Sequence, residues 1–279
     1  MRKSIIYFIL ILLFAQACQE KSKIKEKVVK AIYRDIQTKE DIQPITDSLV
    51  EPVIYTKVIS LNNLPVSEKK RKFIELLLPA ILVTQYNLNK DLDRVEQIEM
   101  HSELYTILNP SDSLFLEDLY QRYRTENLQK IKEKLQPHPA SIVLGQAALE
   151  SGWGTSRFFR DANNIFGIWS YNKNEDRIKA LTTRDSVNIY LKKYPSIEGS
   201  IRDYYGTIAR VRAYSDFRKK RLETQNPYEL IPHLDHYSEL GKAYTRTLSY
   251  LIKHNNLTQF DRFKIDPSYF EDRTILMEQ

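Results

Sequence analysis

Three stretches of the chain repeat apolar residues at helical spacing. The first begins at Ser67, a plausible helix cap, and runs through "EKKRKFIELLLPAILVTQYNL", with Phe73, Leu76, Leu77 and Ala80 on one stripe. Pro79 within it is expected to kink the helix or end its first half. A second amphipathic stretch follows Ser113, with Leu116, Leu119, Tyr120 and Tyr123 on its inner face. The third, "PHPASIVLGQAALESGWG", suits a helix that starts at Pro139 and stops at Gly152. At 3.6 residues per turn, Val143, Gln146, Ala147 and Glu150 then share one side. Further on, "TTRDSVNIYLKKYPS" alternates as one arm of a hairpin would. These elements together predict a mainly α (α+β) fold.

The ends of the chain read differently. Arg2 and Lys3 precede an apolar run, Ile5 to Ala15, that is too short to span a bilayer and closes in "FAQAC". Residues 1–17 are therefore expected to be an export signal. The only cysteine, Cys18, follows directly, so no intrachain disulfide is possible. The stretch resembles a bacterial lipobox, with Ala15 where leucine is most common; the resemblance implies that Cys18 carries a lipid and anchors the protein to a membrane facing the periplasm. Residues 18–65, with Pro44, Pro52 and Pro65 and β-branched runs such as "PVIYTKVIS", are expected to be tether and linker or a peripheral segment. Residues 66–265 are expected to form the domain, and 266–279 a C-terminal tail.

Composition permits one such domain, since 279 residues with 42% hydrophobic content can bury a sizeable core. The +6 formal charge is a property of the N-terminus. Without Arg2 and Lys3 the balance is +4, and residues 19–30, "QEKSKIKEKVVK", supply +3 of that. From residue 31 onward only +1 remains, which removes the case for a basic nucleic-acid face. A monomer is expected. His233, His236 and His254 show no metal-ligand spacing with a carboxylate, which argues against a zinc amidase, and no phosphate loop is present. No cofactor is expected.

Glu150 is the residue that asks for a chemical explanation, being a lone carboxylate that ends an uncharged small and apolar run. Partial burial disfavours its charged form, and the negative end of the helix dipole adds to the effect, so both raise its pKa. A raised carboxyl pKa lets a general acid hold a proton near neutral pH and deliver it to a leaving oxygen. The plainer alternative is a carboxylate bonded to a backbone amide of the next loop. After it, Gly152 and Gly154 permit a tight turn that Trp153 can wedge, and Asn163 and Asn164 offer turn and hydrogen-bonding groups.

The segment "GQAALESGWGTSRFFRDANNIFGIW", residues 145–169, closely resembles the active-site signature of the glucosaminidase family of bacterial cell-wall hydrolases, family 73 of the glycoside hydrolases. "KRKFIELLLPAIL", "RAYSDFRKKR" and "HLDHYSELGKAYTRTLSYLIKHNNLTQFD" resemble the Bax-type branch of that family, so the likeness spans about residues 66–262. The resemblance implies a lysozyme-like helical domain with a small β-hairpin lobe beside a cleft. It makes Glu150 the catalytic acid, and peptidoglycan cut at N-acetylglucosamine β-1,4 linkages the reaction. Substrate-binding roles fall on Trp153, Asn164, Phe166, Tyr237 and Tyr244, although tyrosines in "HYSELGKAY" equally suit a core.

The second catalytic group is open among Glu175, Asp176 and Asp185. Asp185 is favoured on its hairpin arm, where the family has a glutamate; a solvated hairpin aspartate is the alternative. Inverting hydrolysis needs carboxyls ~6.5–9.5 Å apart and retaining hydrolysis ~5–5.5 Å, while attack by the substrate's own acetamido group needs no close second carboxylate. A lytic transglycosylase and a non-catalytic glycan-binding lipoprotein are the other function classes the motifs allow.

Overall fold

The computed structural model describes residues 23–104, 108–184 and 187–276. Contacts divide the described residues into two units, one of residues up to 28 with those from 271 and one between residues 29 and 270. In the first, strand β1 (Lys23–Val29) pairs with β8 (Phe270–Leu276), so part of the expected C-terminal tail is a strand. Among the described residues no helix is long and apolar enough to cross a membrane.

The larger unit is built on helix α1 (Val66–Leu104), which passes through Pro79 without ending. Proline in a helix interior costs about 3 kcal/mol. That cost is borne because Leu76, Leu77, Ala80 and Ile81 around it are all fully buried. The second half of α1 packs Leu92, Val95 and Ile98 with α2 (Pro110–Tyr123) and α3 (Leu128–Leu135) in a satellite core. Helix α2 starts before Ser113, because Asn109 accepts from the Asp112 amide and Pro110 occupies the first turn.

The main core gathers the first half of α1, α4 (Ala140–Ser151), α6 (Ile197–Arg210) and α9 (Lys242–His254). Between them lie α5 (Arg157–Ala162), α7 (Ser215–Lys220), α8 (Pro227–Leu230) and an antiparallel hairpin, β5 (Arg177–Arg184) with β6 (Val187–Lys192). A mainly helical fold with a small hairpin is therefore what the chain adopts. Helix α4 is buried on every side up to Ala148, as expected of a central helix that is hydrophobic all round. A Cβ added to Gly145 would lie 2.8 Å from Leu248 Cδ1 and Ile252 Cγ1, so the absent side chain is what lets α4 approach α9.

Residues 29–65 correct the expectation of a linker. Strand β2 (Ile32–Asp35) pairs in parallel with β4 (Val53–Lys57), and β3 (Leu49–Val50) in parallel with β7 (Lys264–Ile265). Ile36, Ile42, Ile54, Tyr55 and Leu61 are all fully buried in the main core. The prolines punctuate short strands here, and Val50, Val53, Ile54 and Val58 among them are buried in the core.

Candidate active site

Helix α4 carries Glu150 at its C-terminal turn, and three features hold that turn still. Gly152, Trp153 and Gly154 all have positive φ, at 59°, 58° and 78°, and the Trp153 amide donates to Ala148 O at 3.0 Å. Ser151 Oγ donates to Ala147 O at 2.7 Å and accepts from the Gly154 amide at 3.0 Å. Trp153 sets its edge against Phe73 with ring centroids 5.5 Å apart, while Lys70 Nζ lies 5.1 Å over its ring. At the other end, Pro139 offers no capping side chain. Asp261, from the 3-10 turn at residues 257–262, substitutes by accepting from the Ser141 amide at 2.7 Å and the Ser141 hydroxyl at 2.8 Å. The first end is thus capped by a side chain from outside the helix, and the last by the helix's own Ser151 with Trp153 just beyond it.

Glu150 is exposed to solvent on one face and backed by protein on the other. Burial of the backed face pushes its carboxyl above the usual range, and a hydrogen bond donated by Tyr244 Oη to Oε1 at 3.3 Å pulls the other way. Exposure and burial are compatible here because one carboxylate faces water while its stem and rear sit among aromatic rings. Tyr244 is buried and stacks on Tyr237 at 5.5 Å and 19° between planes. Tyr237 in turn meets Tyr214, centroids 6.1 Å apart. Burial raises all three phenol pKa values, and the charge of Glu150 adds to each. The site is a solvent-open carboxyl against neutral tyrosines, with the aqueous face free for a ligand. A cavity of about 630 Å³ elsewhere, lined by Asp91, Arg122, Lys192, Asp203 and Arg210, does not include Glu150.

Residues 125–257 match the family model described as mannosyl-glycoprotein endo-beta-N-acetylglucosaminidase. The chain is similar to that family over residues 125–257. It is 29% identical over 161 residues to Protein bax of Escherichia coli, covering 53% of this chain and 57% of that one. It is 30% identical over 131 residues to an N-acetylmuramoyl-L-alanine amidase domain-containing protein of Staphylococcus aureus, 44% of this chain and 21% of that relative. The chain thus spans little more than half of the first relative and about a fifth of the second. Among solved structures, the catalytic domain of the autolysin Auto from Listeria monocytogenes is 25% identical, with 59% of this chain and 96% of that chain covered and a TM-score of 0.38.

Within residues 125–257 the expected site residues separate. Glu150 and Tyr244 touch, and Tyr237 stacks beside them, half-buried. Trp153 faces Phe73 and Lys70 and wedges the turn. Asn164 does not offer its amide to a ligand, which corrects the sequence expectation. It is buried, its Nδ2 donates to Ile168 O at 2.9 Å and Lys192 O at 2.8 Å, and its Oδ1 accepts from the Ile168 amide at 3.0 Å. This ties the loop after α5 to β6, which positions the hairpin lobe. Phe166 is likewise corrected to a core role, stacked on Tyr204 at 4.3 Å and 18° between planes.

Asp185 and Cys18 lie outside the described residues. Of the other carboxylates weighed with Asp185, Glu175 is 4.0 Å from Lys192 Nζ and Asp176 is exposed. Among the described residues no group of three or more His, Cys, Asp or Glu is placed to hold a metal. Sequence reading missed Tyr214 as a neighbour of the acid. Gln146 was legible as sharing the helix side of Glu150, but its partner Tyr244 is 98 positions away.

Proposed function

We propose that this protein hydrolyses the glycan strand of peptidoglycan at N-acetylglucosamine β-1,4 linkages, with Glu150 as the general acid. The observation that carries the proposal is the Glu150 carboxyl itself, open to solvent, held at a fixed helix end, and raised in pKa by burial, with no cation beside it among the described residues. The family match supports the N-acetylglucosamine linkage. The name of the Staphylococcus aureus relative, which refers to N-acetylmuramoyl-L-alanine, supports a cell-wall polymer.

In the proposed reaction protonated Glu150 gives its proton to the glycosidic oxygen as the bond to the anomeric carbon breaks, and the leaving sugar departs as an alcohol. The Glu150 carboxylate left behind accepts from Tyr244, which limits the cost of its charge. Water completes hydrolysis at the anomeric carbon, aided by Asp185 or by the substrate's acetamido oxygen. Cys18 is proposed to carry a lipid, which places the domain at the periplasmic face of a membrane as a monomer.

The deciding experiment is mass spectrometry of purified peptidoglycan digested by the full chain and by Glu150→Gln, before and after borohydride reduction. Reducible N-acetylglucosamine ends that fall about 10²–10⁴-fold in the variant are the expected result. Anhydro-muramic ends, or equal product from both proteins, overturn it.

A further inference from the structure

Behind the Tyr244–Glu150 contact, buried polar groups continue into the core in single file. Gln146 Nε2 donates to Tyr244 Oη at 3.0 Å, and Tyr204 Oη donates to Gln146 Oε1 at 2.6 Å. His138 Nε2 lies 2.9 Å from Tyr204 Oη, and Arg221 Nη1 lies 3.3 Å from His138 Nδ1. Arg221 is anchored by Nη2, which donates to Glu133 O at 2.8 Å and Lys134 O at 3.3 Å. Gln146, Tyr204, His138 and Arg221 are all at most 2% exposed.

The proton directions along this file are forced from its inner end. A guanidinium only donates, so His138 Nδ1 must accept and the ring's single proton sits on Nε2. Burial and the Arg221 charge hold the His138 pKa well below its ordinary value, which agrees with a neutral ring. Nε2–H then donates to Tyr204, whose only proton is left for Gln146 Oε1. That bond fixes the Gln146 amide so that Nε2 faces Tyr244, and the Tyr244 proton has Glu150 as its remaining acceptor. Each link removes one alternative from the next.

We propose that Arg221, His138, Tyr204 and Gln146 are positioning residues that commit the Tyr244 hydroxyl proton to Glu150 and so set the acidity of the Glu150 carboxyl. The file does more than satisfy buried groups. If Gln146 turned its amide, Oε1 would face Tyr244 and take the proton that Glu150 now receives. Among the described residues the other titratable groups that face Glu150 are Tyr214 and Tyr237, from the turns at residues 212–214 and 231–237, both neutral near pH 7. This assignment rests on Glu150 being the acid only for its catalytic consequence; the proton arrangement is readable without catalysis.

The test is titration of the Glu150 carboxyl in the full chain by carbon-13 NMR, with Glu150→Gln assigning the signal. Tyr204→Phe removes one oxygen, frees Gln146 to turn, and is expected to raise the Glu150 pKa by about half to one unit, the worth of one hydrogen bond. Adding Gln146→Met removes the competing acceptor and is expected to return the value to that of the parent. Gln146→Met alone is expected to leave it unmoved. An unchanged titration in Tyr204→Phe, or a shift that persists in the double variant, overturns the proposal.

Should Tyr204→Phe fail to fold, the same link is read at His138. His138→Gln, which keeps an amide donor toward Tyr204, retains the parent value and His138→Phe reproduces the rise; equal values in both overturn the proposal. The alkaline limb of hydrolysis moves upward with the titration where Glu150 is the acid. Shifted titration in a protein whose Glu150→Gln variant still digests peptidoglycan leaves the proton file standing and removes only the catalytic assignment.

Discussion

At the scale of residues, the balance at Glu150 makes a prediction about stability as well as activity. Its folded pKa stands above its unfolded value, so the folded protein holds the proton more tightly. Stability is therefore lost as pH rises from the ordinary carboxylate value through the folded value, and the loss is complete above it. Glu150→Gln is expected to match the parent's melting temperature in acid and to exceed it at neutral pH, by thermal unfolding followed across pH. An inactive but more stable variant is the usual signature of a strained functional group. Tyr244→Phe removes the donor that opposes burial. It is expected to slow hydrolysis by roughly 10- to 150-fold, since a hydrogen bond to a charged group contributes ~1.5–3 kcal/mol, and to move the alkaline limb of the rate profile upward. A pH–rate profile with unchanged limbs would remove Tyr244 from the acid's environment.

At the scale of elements, α4 is a delivery device for one carboxyl, and its two ends and its crossing with α9 are separately testable. Asp261→Ala leaves the Ser141 amide without its acceptor. Loss of a helix cap costs ~0.5–2 kcal/mol, so calorimetry should show a fall of about 1–8 °C in Tm. Gly145→Ala places a methyl 2.8 Å from Leu248 and Ile252. Overpacking costs about 1–3 kcal/mol and outweighs the gain of up to ~1 kcal/mol in helix propensity. The expected outcome is a lower Tm together with reduced activity, because α9 carries Tyr244; a raised Tm would show that α9 yields freely. These elements also show what a local reading reaches. The helix of Glu150 and its stop at Gly152 follow from spacing and backbone freedom, both properties of neighbouring residues. The Asp261 cap does not, because it comes from 120 positions away.

At the scale of the whole molecule, residues 29–65 are part of the domain they were expected to precede. Ile36, Ile42, Ile54, Tyr55 and Leu61 are fully buried. Burying such side chains contributes roughly 1.5–3 kcal/mol each, and a domain's net stability is about 5–15 kcal/mol. A chain beginning at residue 66 is expected to lack a cooperative thermal transition, whereas one beginning at residue 29 keeps it. A cooperative transition in the shorter chain would return residues 29–65 to the role of a tether.

By itself, the sequence determined the mainly helical class, the stripe on α1, the carboxyl at the end of α4 and the turn behind it, since each depends on periodicity and backbone conformation within a few residues. Only the tertiary structure decided which polar groups face the solvent side of the site. Asn163, Asn164 and Phe166 stand together in the same motif, yet Asn164 is spent on backbone groups of β6 and Phe166 on Tyr204. The proton file from Arg221 to Glu150 joins residues on five separate segments. Hydrogen-bond direction depends on distances of a few ångströms between side chains far apart in the chain, and that information exists only once the core has closed.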